Sequence, residues 1–332
     1  MGRLIHRGGN LPDEGRSPSL AGATAWVNSP PLDPEQLRGR VVVVNFCTYT
    51  CINWLRSLPY VRAWSRAYEH DGLVVIGAHT PEFSFEHDIE NVQRALKEMD
   101  VTYPVAVDND YAVWNAFSNN YWPALYFIDA EGRIRHHAFG EGDYERSEHV
   151  IKQLLRDAGV DGVGDELTPV DPRGPEVAAD WDDLESPEEY LGARRAQTYD
   201  ASEGAGWGEH RSEEGTKPLR RNHWTLMGNW TMTPEAAVLN EPNGRIAFRF
   251  HARDVHLVMG PADRAMPVPF RVTIDGTAPG ASAGTDVDEV GAGILEDQRM
   301  YQLIRQGRPI DDRTFAIEFL DRGAEAFAFT FG

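Results

Sequence analysis

Val41-Val42-Val43-Val44-Asn45-Phe46 is an apolar run without alternation, set between Gly39 and a polar turn. Such a run fits a strand buried on both faces, which requires helices on both sides of a largely parallel sheet. The neighbouring chain supplies them. A helical pattern runs from about 51 to 68, and residues 73–78 repeat the buried-strand pattern. Val92, Ala95, Leu96 and Met99 lie at helical spacing within 90–99. Residues 124–129 read as a strand, Ala130-Glu131-Gly132 as a turn into 133–138, and 147–158 as a closing helix. This order predicts an α/β domain with a mixed sheet over residues 20–158.

From 159 to 221 prolines, glycines and acids interrupt the apolar pattern, and this stretch is expected to be a linker, partly wrapped on a surface at Trp181, Tyr190-Leu191 and Trp207. Residues 222–332 alternate with period two, as in Ile246, Phe248 and Phe250 or Phe327, Phe329 and Phe331, with turns at Asn243-Gly244, Asp275-Gly276 and Arg322-Gly323. An antiparallel β-sandwich is expected there. A chain of 332 residues that is 41% hydrophobic can bury two such cores.

The chemistry concentrates in Cys47-Thr48-Tyr49-Thr50-Cys51-Ile52-Asn53-Trp54. Cys51 follows a buried strand and opens a helix, where unpaired N–H groups and the helix dipole favour the ionised, nucleophilic thiol. Pro59 stands inside the helical pattern and is expected to kink it. Downstream, Tyr121-Trp122-Pro123 leads straight into a strand. A proline there suggests a cis bond that exposes a backbone edge to an extended partner.

Together these features resemble the active-site region of thioredoxin-like proteins of the TlpA type, and more closely the soluble portion of DipZ-type proteins. The likeness continues through His79-Thr80-Pro81-Glu82-Phe83, Phe139-Gly140-Glu141-Gly142, Tyr190-Leu191-Gly192 and residues 327–332. It implies a thioredoxin fold followed by a jelly-roll domain like a carbohydrate-binding module. It also places Cys51 at the family's first active-site cysteine. Trp54 stands where the second is found, and Cys47 replaces a tryptophan.

Without a thiol at 54 the usual dithiol cycle cannot run within that motif. Cys47 could resolve Cys51 only if the intervening turn brings their Cα atoms within about 7 Å; otherwise it is a small buried filler. Glu82 is a candidate proton acceptor or modulator of the thiol, with a helix-capping surface carboxylate as the alternative. His79 is expected to be structural. Thr48-x-x-Cys51 also matches the threonine and cysteine of peroxiredoxins, although Val44 and Pro123 replace that family's proline and arginine.

The expected function is a thiol-dependent redox protein with Cys51 as its one nucleophile, acting on a protein or small-molecule thiol or disulfide. The alternatives are a redox-inactive protein that binds a partner or glycan, and a one-cysteine peroxidase. Trp224, Trp230 and Tyr301 are candidate sugar platforms or core residues. No cofactor or metal is expected: no Cys/His spacing suits zinc, and His136 and His137 should face opposite sides of a strand. A net charge of −20 argues against nucleic acid and anionic membranes. No run approaches the roughly 18 apolar residues of a membrane span. Residues 1–22 lack the apolar region of a secretory signal, so a cytoplasmic location is expected.

Overall fold

Four consecutive valines make the strand at 41–47 the interior of a six-stranded sheet in the computed structural model, which describes residues 11–200, 209–212 and 218–332. The chain divides into two units, residues 1–172 and 173–332. In the first, the order is β1 (Ala25–Val27), β2 (Val41–Cys47), α1 (Ile52–Tyr68), β3 (Leu73–His79), α2 (Ile89–Glu98), β4 (Val105–Val107), α3 (Ala112–Ala116), β5 (Ala124–Ile128), β6 (Ile134–Phe139) and α4 (Tyr144–Asp157). The sheet runs β1-β4-β3-β2-β5-β6. β2, β3 and β4 are parallel, while β5 and β6 return antiparallel. This is a thioredoxin-like α/β fold.

Alternation along β2 sorts its residues between two cores. Val42, Val44 and Phe46 pack with Ile76, Val113, Trp114, Phe117 and Tyr126. On the alternate positions, Asn45 is bonded to Trp54 of α1. α1 continues through Pro59 to Tyr68, so the proline does not end it. Glu148 of α4 binds α1 through Trp64 Nε1 at 3.0 Å and Tyr68 OH at 2.6 Å.

The expected linker is corrected by the structure. Residues 160–172 stay with the first unit, where Thr168 donates to Glu148 from both its backbone N and its hydroxyl, each at 2.8 Å. Residues 173–200 belong to the second unit. Their strand β7 (Glu189–Tyr190) pairs with the chain's last strand, and Leu191 is wholly buried. Apolar residues used singly leave no period to read, which is why the stretch looked like a tether. Trp181 remains 59% exposed. Trp207, Gly204, Gly206 and Gly208, like residues 1–10, lie outside the described residues.

The second unit continues through β8 (Glu209–Ser212), β9 (Trp224–Met232), β10 (Ala237–Leu239), β11 (Gly244–Phe250), β12 (Asp254–Pro261), β13 (Val268–Ile274), β14 (Ala292–Leu295), β15 (Arg299–Arg305), β16 (Arg313–Phe319) and β17 (Ala324–Phe331). Its ladders are antiparallel. β9 joins two layers: residues 224–227 pair with β11, and residues 230–232 with β10. Gly228, at φ +101, lies between these segments, and a Cβ there would meet the Gly244 backbone at 3.0 Å. Phe248 of β11 meets Phe329 of β17 across the interior at 5.0 Å. The layers thus form a β-sandwich. Trp224 and Trp230 are fully buried and Tyr301 nearly so, which removes all three as sugar platforms. The indole of Trp224 donates to Glu189 Oε1 at 3.0 Å, so its polar edge is turned inward too. Among the described residues, no helix is long and apolar enough to cross a membrane.

Candidate active site

Between β2 and α1 the chain makes one closed turn, in which Cys51 N–H donates to Thr48 O at 3.2 Å. Cys51 is the residue before the helix, and its carbonyl accepts the first helical bond from Leu55 N at 2.9 Å. Every residue from Val41 to Thr50 is buried, and Cys51 is the first after them to reach solvent. Thr48 is fully buried, so its hydroxyl does not face the solvent.

Cys51 Sγ lies 3.8 Å from the carbonyl oxygen of Trp122, and the Trp122–Pro123 bond is cis. That backbone is held by Gly140 N, which donates to Pro123 O at 2.8 Å. The Trp122 ring packs against Trp114 at 4.3 Å. Tyr121 and Phe139 stack at 4.8 Å, and both are about half exposed. The reachable thiol therefore stands beside a fixed backbone edge, next to the segment that carries exposed aromatic rings.

Trp54, at the position of the family's second cysteine, is 1% exposed, and its indole N–H donates to buried Asn45 Oδ1 at 2.8 Å. An apolar ring thus fills the place where a resolving thiol would stand. Cys47 is also 1% exposed. Burial pushes its thiol far up, and the nearby Glu86 charge adds to this. Both cysteines are free thiols. One turn further along α1, Arg56 pairs with Glu141 at 3.1 Å, with both side chains largely enclosed. Burial raises the Glu141 carboxyl against the pull of Arg56.

The carboxylate beside the turn is Glu86. It is completely buried, takes Thr50 Oγ1 at 2.6 Å on one oxygen, and takes Glu82 N at 2.6 Å and Phe83 N at 3.0 Å on the other. Burial raises its carboxyl above the ordinary range while these donors oppose the rise. Glu82, singled out from the sequence, is partly exposed, and its backbone N–H is one of those donors. His79 pairs in register with Cys47, stacks on Tyr49 at 5.7 Å, and is completely buried. Among the described residues neither of its ring nitrogens has a hydrogen-bond partner, and burial holds its pKa down to about 3.

Cys51, Trp122 and Pro123 are thus brought together, with Cys47, Thr48 and Trp54 beneath or behind them. Glu86 and the pairs Asn45–Trp54 and Arg56–Glu141 went unread in the sequence. Glu86 stands three residues after Phe83, the helix-start spacing at which a carboxylate reaches back to the chain.

Residues 29–137 match the AhpC/TSA family, and residues 186–332 match the thioredoxin like C-terminal domain. Over 252 residues the chain is 38% identical to Protein DipZ of Mycobacterium tuberculosis, covering 74% of this chain and 35% of that protein. The chain thus spans about a third of the length of the DipZ relatives it matches. It is 31% identical over 139 residues to the thiol-disulfide oxidoreductase YkuV of Bacillus subtilis, covering 42% of this chain and 93% of that one. A thioredoxin-like protein solved in solution in its oxidised form is 30% identical, with 43% of this chain and 95% of that chain covered and a TM-score of 0.40.

Proposed function

Because the chain belongs to the thioredoxin-like family of thiol–disulfide oxidoreductases, we propose that it is a thiol-dependent redox protein working through Cys51 alone. The observation that carries this is the contrast within one turn: Cys51 reaches solvent beside Trp122 O, Cys47 is sealed in the core, and Trp54 occupies the resolver's place.

The cycle has two exchanges. The Cys51 thiolate attacks one sulfur of a substrate disulfide, forming a new S–S bond as the old one breaks and the second substrate sulfur leaves as a thiolate with the bonding pair. An external thiolate then attacks the substrate sulfur of the mixed disulfide, so that Cys51 leaves as its thiolate. The substrate sulfur stays bonded to the external thiol, from which a second external thiolate displaces it away from the protein. The net result is transfer of the disulfide from substrate to external thiols, and the Trp122–Pro123 edge receives the extended substrate. This cycle needs a compartment rich in free thiols, in keeping with a cytoplasmic setting.

Replacing Trp54 with cysteine tests this reading. The new thiol would lie one helical turn inside the first and could displace the substrate from Cys51 without an external partner. Removing the buried indole costs about 3–5 kcal/mol, so folding is checked first. With a monothiol as reductant, the folded Trp54→Cys protein should reduce insulin disulfides faster than the wild type. Equal rates would contradict the reading, because they would mean that Cys47 already serves as resolver.

A further inference from the structure

The turn that aims Cys51 is held by one buried carboxyl group. Thr50, the residue before the thiol, is 2% exposed and gives its hydroxyl to Glu86 Oε1 at 2.6 Å. The other carboxylate oxygen gathers the backbone N–H groups of Glu82 and Phe83, just beyond β3. Tyr49, the remaining central residue of the turn, lies between the rings of His79 at 5.7 Å and Phe85 at 6.1 Å. Both central residues of the turn are therefore fixed by the segment 79–86, and Cys51 follows them into the first bond of α1.

A buried carboxylate is a costly way to join two loops, since apolar residues of similar volume often hold as well or better. What it adds is direction, because a short hydrogen bond fixes the orientation of its donor, here the Thr50 hydroxyl. A thiol attacking a disulfide must meet the S–S bond along its axis, so orientation matters to that reaction far more than to alkylation by a small electrophile.

We infer that Glu86 is a positioning residue for the Cys51 thiol, acting through Thr50 to keep the sulfur turned toward the Trp122–Pro123 edge. This rests on the reading of Cys51 as the nucleophile.

The test uses the full chain and two probes, glutathione disulfide and iodoacetamide, with reaction at Cys51 followed by site-resolved mass spectrometry. Thr50→Val keeps the carboxylate and deletes the bond. It should slow exchange with glutathione disulfide about tenfold relative to alkylation. Thr50→Ser returns the hydroxyl and should recover the rate. Glu86→Leu, which removes the acceptor for Thr50, should behave like Thr50→Val; if it does not fold, the Thr50 pair decides. A folded Thr50→Val protein that exchanges at the wild-type rate, or a Thr50→Ser protein as slow as Thr50→Val, overturns the positioning role. Wild-type Cys51 that fails to exchange at all overturns the nucleophile assignment, and this role with it.

Discussion

His79 shows how the fold keeps a titratable ring silent beside the strand that ends in Cys47. It is fully buried, stacked on Tyr49, and both nitrogens lack hydrogen-bond partners among the described residues. Its pKa is held down to about 3 by burial, against about 6.5 in an unfolded chain. Below pH 6.5 the unfolded state therefore takes up a proton that the native ring refuses. This ring's contribution to stability is intact above that pH and is lost as pH falls toward 3. His79→Phe should remove this component. Because the ring makes no hydrogen bond, the substitution should also leave stability at pH 7 unchanged or raised. Urea unfolding at several pH values checks both. A clear loss at pH 7 in the variant would mean that the imidazole makes a polar contact after all.

At the scale of elements, the helix bearing the thiol is fastened at both ends. Arg56 binds Glu141 near its start, and Glu148 of α4 receives Trp64 and Tyr68 near its end while pairing with Lys152 at 3.5 Å. Glu148 and Lys152 are both almost fully buried, so Glu148→Gln leaves an ammonium without its counter-charge. The expected loss is about 3 kcal/mol by chemical denaturation. Despite its burial, the bonds to Tyr68, Thr168 and Trp64 hold the Glu148 carboxyl below its ordinary value. Its contribution is therefore present above about pH 4.3 and is lost as pH falls through the folded value. A variant as stable as the wild type would make this cluster a solvent-screened surface pair. The long elements were legible in the sequence because β2, β3 and β5 carry continuous apolar runs and α1 is long enough to show a helical pattern. β1 and β4 have three residues each and α3 five, so no period could appear. The place of Cys51 was legible too, since it follows from a strand end and a helix start. Glu86 was not, because a carboxylate between Phe85 and His87, in a stretch rich in polar residues, reads as a surface residue until the fold closes over it.

For the whole molecule, the boundary at residue 172 makes a prediction different from the one a 159–221 tether would make. Glu189 Oε1 accepts Gln197 N at 2.8 Å, Thr198 N at 3.0 Å and the Trp224 indole at 3.0 Å, so the second core depends on residues before 222. Fragments 1–172 and 173–332 should each unfold cooperatively. A fragment 222–332 should be markedly less stable, because it leaves the Trp224 indole without its acceptor. Equal stability of 173–332 and 222–332 would restore the tether. The assignment of all exchange to Cys51 is tested most directly on the intact chain, by mass analysis after glutathione disulfide and peptide mapping of the product. One glutathione on Cys51, with Cys47 unmodified, is the predicted result. A Cys47–Cys51 disulfide, or glutathione on Cys47, would contradict it.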